Sequence, residues 1–160
     1  MCGMRWQAGD GFSLLEVLVA MSILALGLLG MVALQSEALK YAHAAFLETQ
    51  AAFLLDDIAE RIRIAGNKTA YQLAFDASIA VPTIDCTAHV CNLEQMAVWN
   101  LYQWRERVES AEYLPQGEGQ VQCGDVGSGC TISIRYAQPR LNRADEPSDK
   151  HTISIVAGAF

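Results

Sequence analysis

The first long apolar run of the sequence is Phe12–Leu34, in which Glu16 is the only charged side chain. As an α-helix this run is about 35 Å long, enough to cross the hydrocarbon core of a membrane. It is longer than the apolar part of a cleaved signal peptide, and no small-x-small cleavage site follows it. The pattern therefore predicts a retained membrane anchor.

The helical pattern continues beyond this run. Apolar residues recur at helical spacing between charged ones, at Leu39, Phe46, Phe53, Leu54, Ile58 and Ile62. No proline occurs before Pro82, and Gly66 followed by Asn67 is a typical helix stop. We expect one helix of about 80 Å from Phe12 to about Ala65, whose second half carries one apolar stripe that needs a partner surface.

We expect residues 66–160 to supply the partner surface for this stripe. Residues 67–92 look irregular, apart from a short extended piece near Ile79–Ile84. Asn92 and Gln95 have the spacing of a capping box at the start of a second helix, which Leu114-Pro115 ends. The apolar face of this helix consists of Leu93, Ala97, Leu101, Trp104 and Val108.

Three strand candidates follow: Gly119–Cys123, Thr131–Ala137 and Thr152–Val156. The middle one alternates apolar and polar residues cleanly, which is typical of a half-buried strand. The sequence thus predicts an α+β fold, in which a long N-terminal helix packs on a small antiparallel β-sheet beside a second, short helix.

Four of the five cysteines lie far beyond the apolar run, which favours an oxidising compartment and two disulfides. Three pairings are possible. The spacings favour local closure, because short loops close at the smallest entropic cost; the pairs would be Cys86–Cys91 and Cys123–Cys130. Zinc binding is the rival interpretation, but neither pair has the usual C-x2-C spacing, and we expect no metal.

Composition excludes several functions. The net charge is −7, and the only dense basic cluster is Arg61–Lys68, which argues against nucleic acid as the main ligand. The three histidines are scattered and no nucleophile or phosphate-binding motif occurs, so we expect no enzymatic activity, no cofactor and no small-molecule substrate. Asp56 and Asp57 lie on different helical faces, and we expect both to be solvated. Helical spacing favours core packing for some of Trp99, Tyr102, Trp104 and Tyr113 over an aromatic binding surface.

The stretch GFSLLE at 11–16, at the head of a membrane helix, resembles the prepilin motif of type IV pilins and their relatives. The resemblance implies that a membrane-bound prepilin peptidase cuts between Gly11 and Phe12 and methylates the new N-terminal Phe12. Glu16 then meets the Phe12 amine of an adjacent subunit and sets the register of assembly; an intrachain contact at i,i+4 spacing is the alternative. Asp10 is an acidic neighbour that the resemblance does not explain, and the start can be Met1 or Met4.

Further stretches, LGLLGMVALQ at 26–35, LLDDIAERIR at 54–63, WNLYQWRERV at 99–108 and LPQGEGQVQC at 114–123, resemble the PilV type of minor pilin. The implied organisation is a prepilin leader (1–11), a transmembrane and assembly half of the helix (12–35), an amphipathic half (36–65) and a periplasmic head (66–160). The implied location is the inner membrane, in a single pass, and then the pilus. The implied partners are the prepilin peptidase, other minor pilins and the major pilin, and the inner-membrane assembly platform.

Two alternatives remain at this point. LLEVLVA occurs equally in minor pseudopilins of type II secretion systems, whereas LGLLGMVALQ and LPQGEGQ favour the pilus. The head could also be a module of the pilus tip that binds surfaces or DNA, although its acidic charge argues against strong DNA binding. Gly27 and Gly30 permit either close helix packing or local melting in a filament, or reflect the ordinary tolerance of membrane helices for glycine.

Overall fold

Helix α1, Leu14–Ala65, is the first element of the computed structural model, which describes residues 13–124, 129–138 and 150–157. A 3₁₀ turn, Lys68–Tyr71, and helix α2, Leu93–Glu109, follow it. Three strands complete the order: β1, Glu118–Cys123; β2, Cys130–Ala137; and β3, Lys150–Ala157. These elements confirm the predicted α+β fold. The chain divides into two compact units, residues 1–40 and residues 41–160.

The core of the second unit is built on one face of α1. Apart from the adjacent pair Leu54 and Leu55, its buried residues recur every three or four positions, which is the period of a helix face: Ala44, Leu47, Ala51, Leu54, Leu55, Ile58 and Ile62. The prediction was wrong for the other half of the proposed stripe, because Leu39, Phe46 and Phe53 are 72%, 56% and 71% exposed. Their seven-residue spacing places them in line on another side of α1, where no described residue covers them.

Helix α2 begins as predicted. The side chain of Asn92 accepts a hydrogen bond from the Gln95 N–H at 2.8 Å, and the Gln95 side chain accepts one from the Asn92 N–H at 2.9 Å. The helix ends at Glu109, earlier than predicted, because the chain turns at Ser110 and carries Leu114 into the core. The prediction that Leu93 belongs to the apolar face was wrong: it is 60% exposed, since it lies in the first turn, beyond the core.

The sheet is antiparallel, with strand order β1-β2-β3. Ile132, Ile134 and Tyr136 of β2 are fully buried, as their alternation predicts. The expected extended piece near Ile79–Ile84 forms no strand; instead Leu73 exchanges two backbone hydrogen bonds with Val121 of β1, at 2.9 and 2.8 Å. Leu73 is buried, whereas most of residues 79–84 are partly or fully exposed, so burial decided which segment joins the sheet.

Trp104 joins α1, α2 and β1. Its indole N–H donates to the backbone oxygen of Leu54 at 2.8 Å, and the side chain is fully buried. Its ring lies over Gly119 so closely that a Cβ atom there would be 2.5 Å from the ring carbon Cη2. Only glycine therefore fits at this position of β1.

We expect Gly119→Ala to lower the free energy of unfolding by about 1–3 kcal/mol, because the added methyl group forces Trp104 to move in a close-packed core. Chemical unfolding of the full chain in detergent, followed by tryptophan fluorescence, measures the change. Gln122→Ala, at an exposed position of the same strand, is the control and should stay within about 0.5 kcal/mol. Equal midpoints for the two variants would contradict the close packing.

Candidate functional site: the apolar helix and its head

The first half of α1 exposes its apolar side chains along its whole length. Every large apolar residue from Leu14 to Leu34 is exposed, from 45% at Val17 to 82% at Leu14. The helix is long and apolar enough to cross a membrane, and none of its most apolar 18-residue window is buried. Water solvates such a surface poorly, so it requires lipid or other apolar helices around it.

Glu16 is placed in the first turn of α1. The N–H groups of Glu16 and Val17 both donate to the backbone oxygen of Ser13, at 3.0 and 3.3 Å. A carboxylate in a first turn interacts favourably with the positive end of the helix dipole. Glu16 is exposed, and none of the described residues gives it a cationic partner. The predicted cleavage site, Gly11-Phe12, lies outside the described residues.

Ser22, Gly27 and Gly30 of this segment need no partner elsewhere in the described chain. The Ser22 hydroxyl donates to the backbone oxygen of Leu18 at 2.9 Å, so it needs no partner outside the helix. A methyl group added at Gly27 or at Gly30 would have no atom of another part of the described chain within 4 Å. Packing within the described chain therefore gives no reason for either glycine.

Asp57 connects α1 to α2, which corrects the expectation that it is solvated. Its carboxylate accepts hydrogen bonds from Arg61 Nε at 3.1 Å and from Arg107 Nη2 at 3.0 Å. Arg61 also donates to Asn100 Oδ1 at 2.9 Å, and Asn100 donates to the buried Tyr71 hydroxyl at 2.9 Å. Asp56 is exposed, as expected. This polar network fixes the angle between the two helices, because its bonds are directional.

Arg105 is a buried cation that the sequence did not reveal. It is 9% exposed, and its guanidinium donates to three backbone oxygens: Gly119 at 2.9 Å, Phe75 at 2.6 Å and Ala74 at 3.3 Å. Its Nε also pairs with Glu109. The residue holds the irregular segment after the 3₁₀ turn against β1. Its only signal in the sequence is a position one turn after Leu101 on the apolar face of α2.

Both disulfides form, and they are the local pairs that the cysteine spacing favoured. Cys86–Cys91 has a Cα–Cα distance of 5.6 Å, and Cys123–Cys130, at facing ends of β1 and β2, one of 3.9 Å. Oxidised cysteines cannot bind zinc, so the rival interpretation of a zinc site fails. Beside the first disulfide, the Thr87 hydroxyl and N–H donate to Asp85 and lower the pKa of this carboxyl.

The aromatic residues of α2, and Tyr113 just beyond its end, do not share one environment. Trp104 is fully buried, Trp99 and Tyr102 are half-buried, and Tyr113 is 39% exposed. The carboxylate of Glu106 raises the pKa of Tyr102, whose hydroxyl donates to it at 3.3 Å. Core packing therefore accounts for Trp104, as helical spacing favoured, and only parts of the others reach the surface.

Comparison with known proteins matches two consecutive stretches of the chain. The family model described as "Prokaryotic N-terminal methylation motif" matches residues 10–32. The family model described as "Type IV pilin Tt1218" matches residues 33–102. Together the two matches support a type IV pilin-like family. No curated protein and no solved structure gives a significant match.

The family matches agree with the geometry of the chain. The methylation motif covers the exposed apolar part of α1 and Glu16, and the second match extends through Asp57 and Asn100 of the polar network. A long N-terminal helix with a second helix and a three-stranded antiparallel sheet is the type IV pilin fold. Pilins are structural proteins, and the motif with its apolar helix fits a membrane-anchored pilin that is part of a pilus.

A cluster of ion pairs in the head lowers the pKa of one of its members, Glu118. Glu118 pairs with Lys150 of β3 and with Arg135 of β2, across the whole sheet. The hydrogen bond from Lys150, followed in weight by the one from Arg135, lowers the pKa of Glu118 below its ordinary value of 4.5, although partial burial opposes the shift. Arg135 also lies over the ring of Phe75, 4.2 Å from its centre.

We expect Arg105→Met to destabilise the head by about 2–4 kcal/mol, because one buried and two partly buried backbone oxygens, together with Glu109, lose their cationic donor. Arg63→Met is the matched control, since Arg63 forms an exposed pair with Glu60, and it should cost about 0.5 kcal/mol or less. Urea unfolding of the full chain in detergent measures both. A cost for Arg105→Met no larger than the control would show that its bonds are dispensable.

The lowered pKa of Glu118 gives a second prediction. A lowered folded-state pKa stabilises the fold above the unfolded value, and this contribution disappears as the pH falls through the folded-state pKa. Glu118→Gln should therefore be less stable than the wild type at pH 7, and the difference should shrink below pH 4.5. Lys150→Met, which removes the largest cause of the shift, should give a similar profile. Unfolding curves that differ by a constant amount from pH 7 to pH 3 would refute this assignment.

Proposed function

We propose that the chain is a minor pilin of the PilV type, which is processed at its N-terminus and takes part in the assembly or priming of a type IV pilus. One observation carries the proposal: a single helix, α1, exposes an entirely apolar surface around one charge, Glu16, and farther along forms the core of a disulfide-containing head. A helix that serves only as a membrane anchor needs no charge in its apolar run. A subunit that leaves the membrane and packs beside other apolar helices needs one that can pair with a neighbour.

Processing supplies the partner of that charge. Prepilin peptidase cuts between Gly11 and Phe12 and methylates Phe12, which creates a cationic amine at the new N-terminus. A carboxylate in an apolar environment costs about 2.5–3.5 kcal/mol when unpaired, so pairing Glu16 with such an amine is strongly favourable. Pairing with the amine of a neighbouring subunit aligns the two helices along the filament.

The location and the partners follow from this role. In the proposed orientation the helix crosses the inner membrane once and the head lies in the periplasm, where its two disulfides are stable. The partners are the prepilin peptidase, other minor pilins and the major pilin, and the assembly platform in the inner membrane. The head acts through protein contacts and catalyses no reaction.

Processing is tested by mass spectrometry of the chain expressed with and without prepilin peptidase. The expected product with the peptidase begins at methylated Phe12, and the chain without it keeps its leader. A mature chain that begins anywhere else would remove the basis of the proposal.

We expect Glu16→Gln to be cleaved normally but to enter filaments at a level reduced by roughly tenfold, because the neutral amide forms no ion pair with the amine. Glu37→Gln is the matched control: the Glu37 side chain is 44% exposed, pairs with Lys40 and lies beyond the apolar run, so this variant should assemble like the wild type. Quantitative immunoblots of sheared filaments give the ratio. Equal incorporation of both variants would contradict the role of Glu16.

A deletion strain distinguishes a role in the pilus from a role in a type II secretion system. Deletion of the gene should abolish or reduce surface pili and leave the export of secreted enzymes unchanged. The opposite result would assign the chain to secretion as a minor pseudopilin.

A further inference from the structure

The two disulfides of the head lie in different surroundings. Cys130 is fully buried in the core, and it faces Cys123, which is half-buried, across the paired strands β1 and β2. Cys86 and Cys91 are both half-buried and lie outside every helix and strand of the described chain. Val90, the residue before Cys91, is 100% exposed. A dissolved thiol therefore meets a protected bond in one case and a surface loop in the other.

Burial protects the bond between Cys123 and Cys130 against thiols by either route. Disulfide exchange begins when a thiolate attacks one sulfur and the other sulfur leaves as a thiolate. Attack on Cys130 is blocked, because this residue is fully buried. Attack on Cys123 would expel a Cys130 thiolate into the apolar core, and apolar surroundings disfavour the charged form and make it a poor leaving group. Opening this bond therefore requires the core to unfold.

The bond between Cys86 and Cys91 has neither protection. Cys91 comes directly before Asn92, the N-cap of α2, so a thiolate formed at Cys91 lies at the positive end of the helix dipole. The carboxylates of Asp85 and Glu94 oppose this effect, but both residues are exposed and their charges are screened by water and salt. Cys91 is therefore the favoured leaving group, and the attacked sulfur is that of Cys86.

This disulfide fixes a segment that has few other contacts. Residues 80–91 contain no helix or strand, their backbone hydrogen bonds stay within the segment, and none of them belongs to the apolar core. The polar contact of this segment with α2 is that of the Cys86 sulfur, which lies 3.9 Å from the backbone oxygen of Gln95. A cavity of about 250 Å³ lies between residues 82–84 and α2. The bond from Cys86 to Cys91 thus holds a loosely packed segment at the start of the helix.

We propose that Cys86–Cys91 is a site of reversible thiol–disulfide exchange with a dithiol, whereas Cys123–Cys130 stays closed in the folded chain. A thiolate of the dithiol attacks the Cys86 sulfur, the bond between the two cysteines breaks, and Cys91 leaves as a thiolate that takes up a proton. The second thiol of the reagent then loses its proton and attacks the reagent sulfur of the mixed disulfide, which releases Cys86. The chain gains two electrons and two protons, and the dithiol becomes a disulfide.

Opening the bond releases residues 80–91 and leaves α2 in place. The start of α2 is held independently, by the two reciprocal hydrogen bonds between Asn92 and Gln95. The change is therefore a local opening of one surface segment, and the core keeps its structure. The site does not depend on the proposed function, because it rests on the surroundings of the two disulfides alone.

Timed reduction of the full chain in detergent tests the site. The folded chain is treated with dithiothreitol at about pH 8, where thiolates form, and is then quenched in acid, alkylated with N-ethylmaleimide and mapped by mass spectrometry. Cys86–Cys91 should open at least roughly tenfold faster than Cys123–Cys130, and oxidised glutathione should close it again. Equal rates, faster opening of Cys123–Cys130, or failure of the bond to close again would overturn the proposal.

A matched pair of variants separates exchange in the folded chain from exchange after unfolding. Gly119→Ala weakens the core, so it should speed the opening of Cys123–Cys130 by roughly fivefold or more and leave Cys86–Cys91 unchanged. Gln122→Ala should change neither rate. Equal acceleration of both disulfides by Gly119→Ala would show that both open only on unfolding, and the proposal would fail. If Gly119→Ala shows no unfolding transition in urea, the two rates of the wild type decide alone.

Hydrogen exchange of the chain before and after this reduction measures the released segment. The N–H groups of Ala88 and His89 donate to the backbone oxygen of Asp85, at 3.2 and 3.0 Å, and should exchange at least roughly fivefold faster once the bond is open. The N–H of Gln95, which donates to the Asn92 side chain at 2.8 Å, is the internal control and should not change. Equal acceleration at Gln95, or unchanged exchange at Ala88 and His89, would overturn the local release.

Discussion

Trp104 is the contact on which the head depends. Its indole N–H donates to the Leu54 oxygen, so α1 and α2 are joined by a directional bond in addition to apolar contact. Its ring occupies the space that any side chain larger than glycine at position 119 would need. Because Gly119 also gives its oxygen to Arg105, one strand residue receives both an aromatic ring and a guanidinium. The positions of α1, α2 and β1 are therefore set together.

Hydrogen bonds between polar groups then fix the arrangement of the elements that apolar burial brings together. The core cluster explains why the elements associate, but apolar contacts are not directional and tolerate several arrangements. Asp57 with Arg61 and Arg107, and Asn100 with Tyr71, select one of them. Arg105 does the same for the irregular segment near Ala74, whose carbonyls belong to no helix or strand. Side-chain hydrogen bonds therefore fix parts of the head that no strand pairing joins.

The surface of helix α1 differs between its first part and its second part. From Leu14 to Leu34 the helix is apolar on all sides apart from Glu16 and Ser22, which suits lipid or a bundle of similar helices. Within the second unit only one face is buried, and small residues, Ala44 and Ala51, alternate there with leucine and isoleucine. The exposed Phe46 and Phe53 show that apolar spacing identifies a helix more reliably than it identifies its buried side.

Periodicity and local chemistry were sufficient for much of this protein. The long helix, the capping box at Asn92, the three strands and the single charge in the apolar run are properties of neighbouring residues, so the sequence by itself determined them. The end of α2, the bridge from Leu73 to Val121, the burial of Arg105 and the role of Asp57 depend on residues far apart in the chain. Only the tertiary structure decided these, because a buried carbonyl or carboxylate selects its partner by position in space, which no local pattern contains.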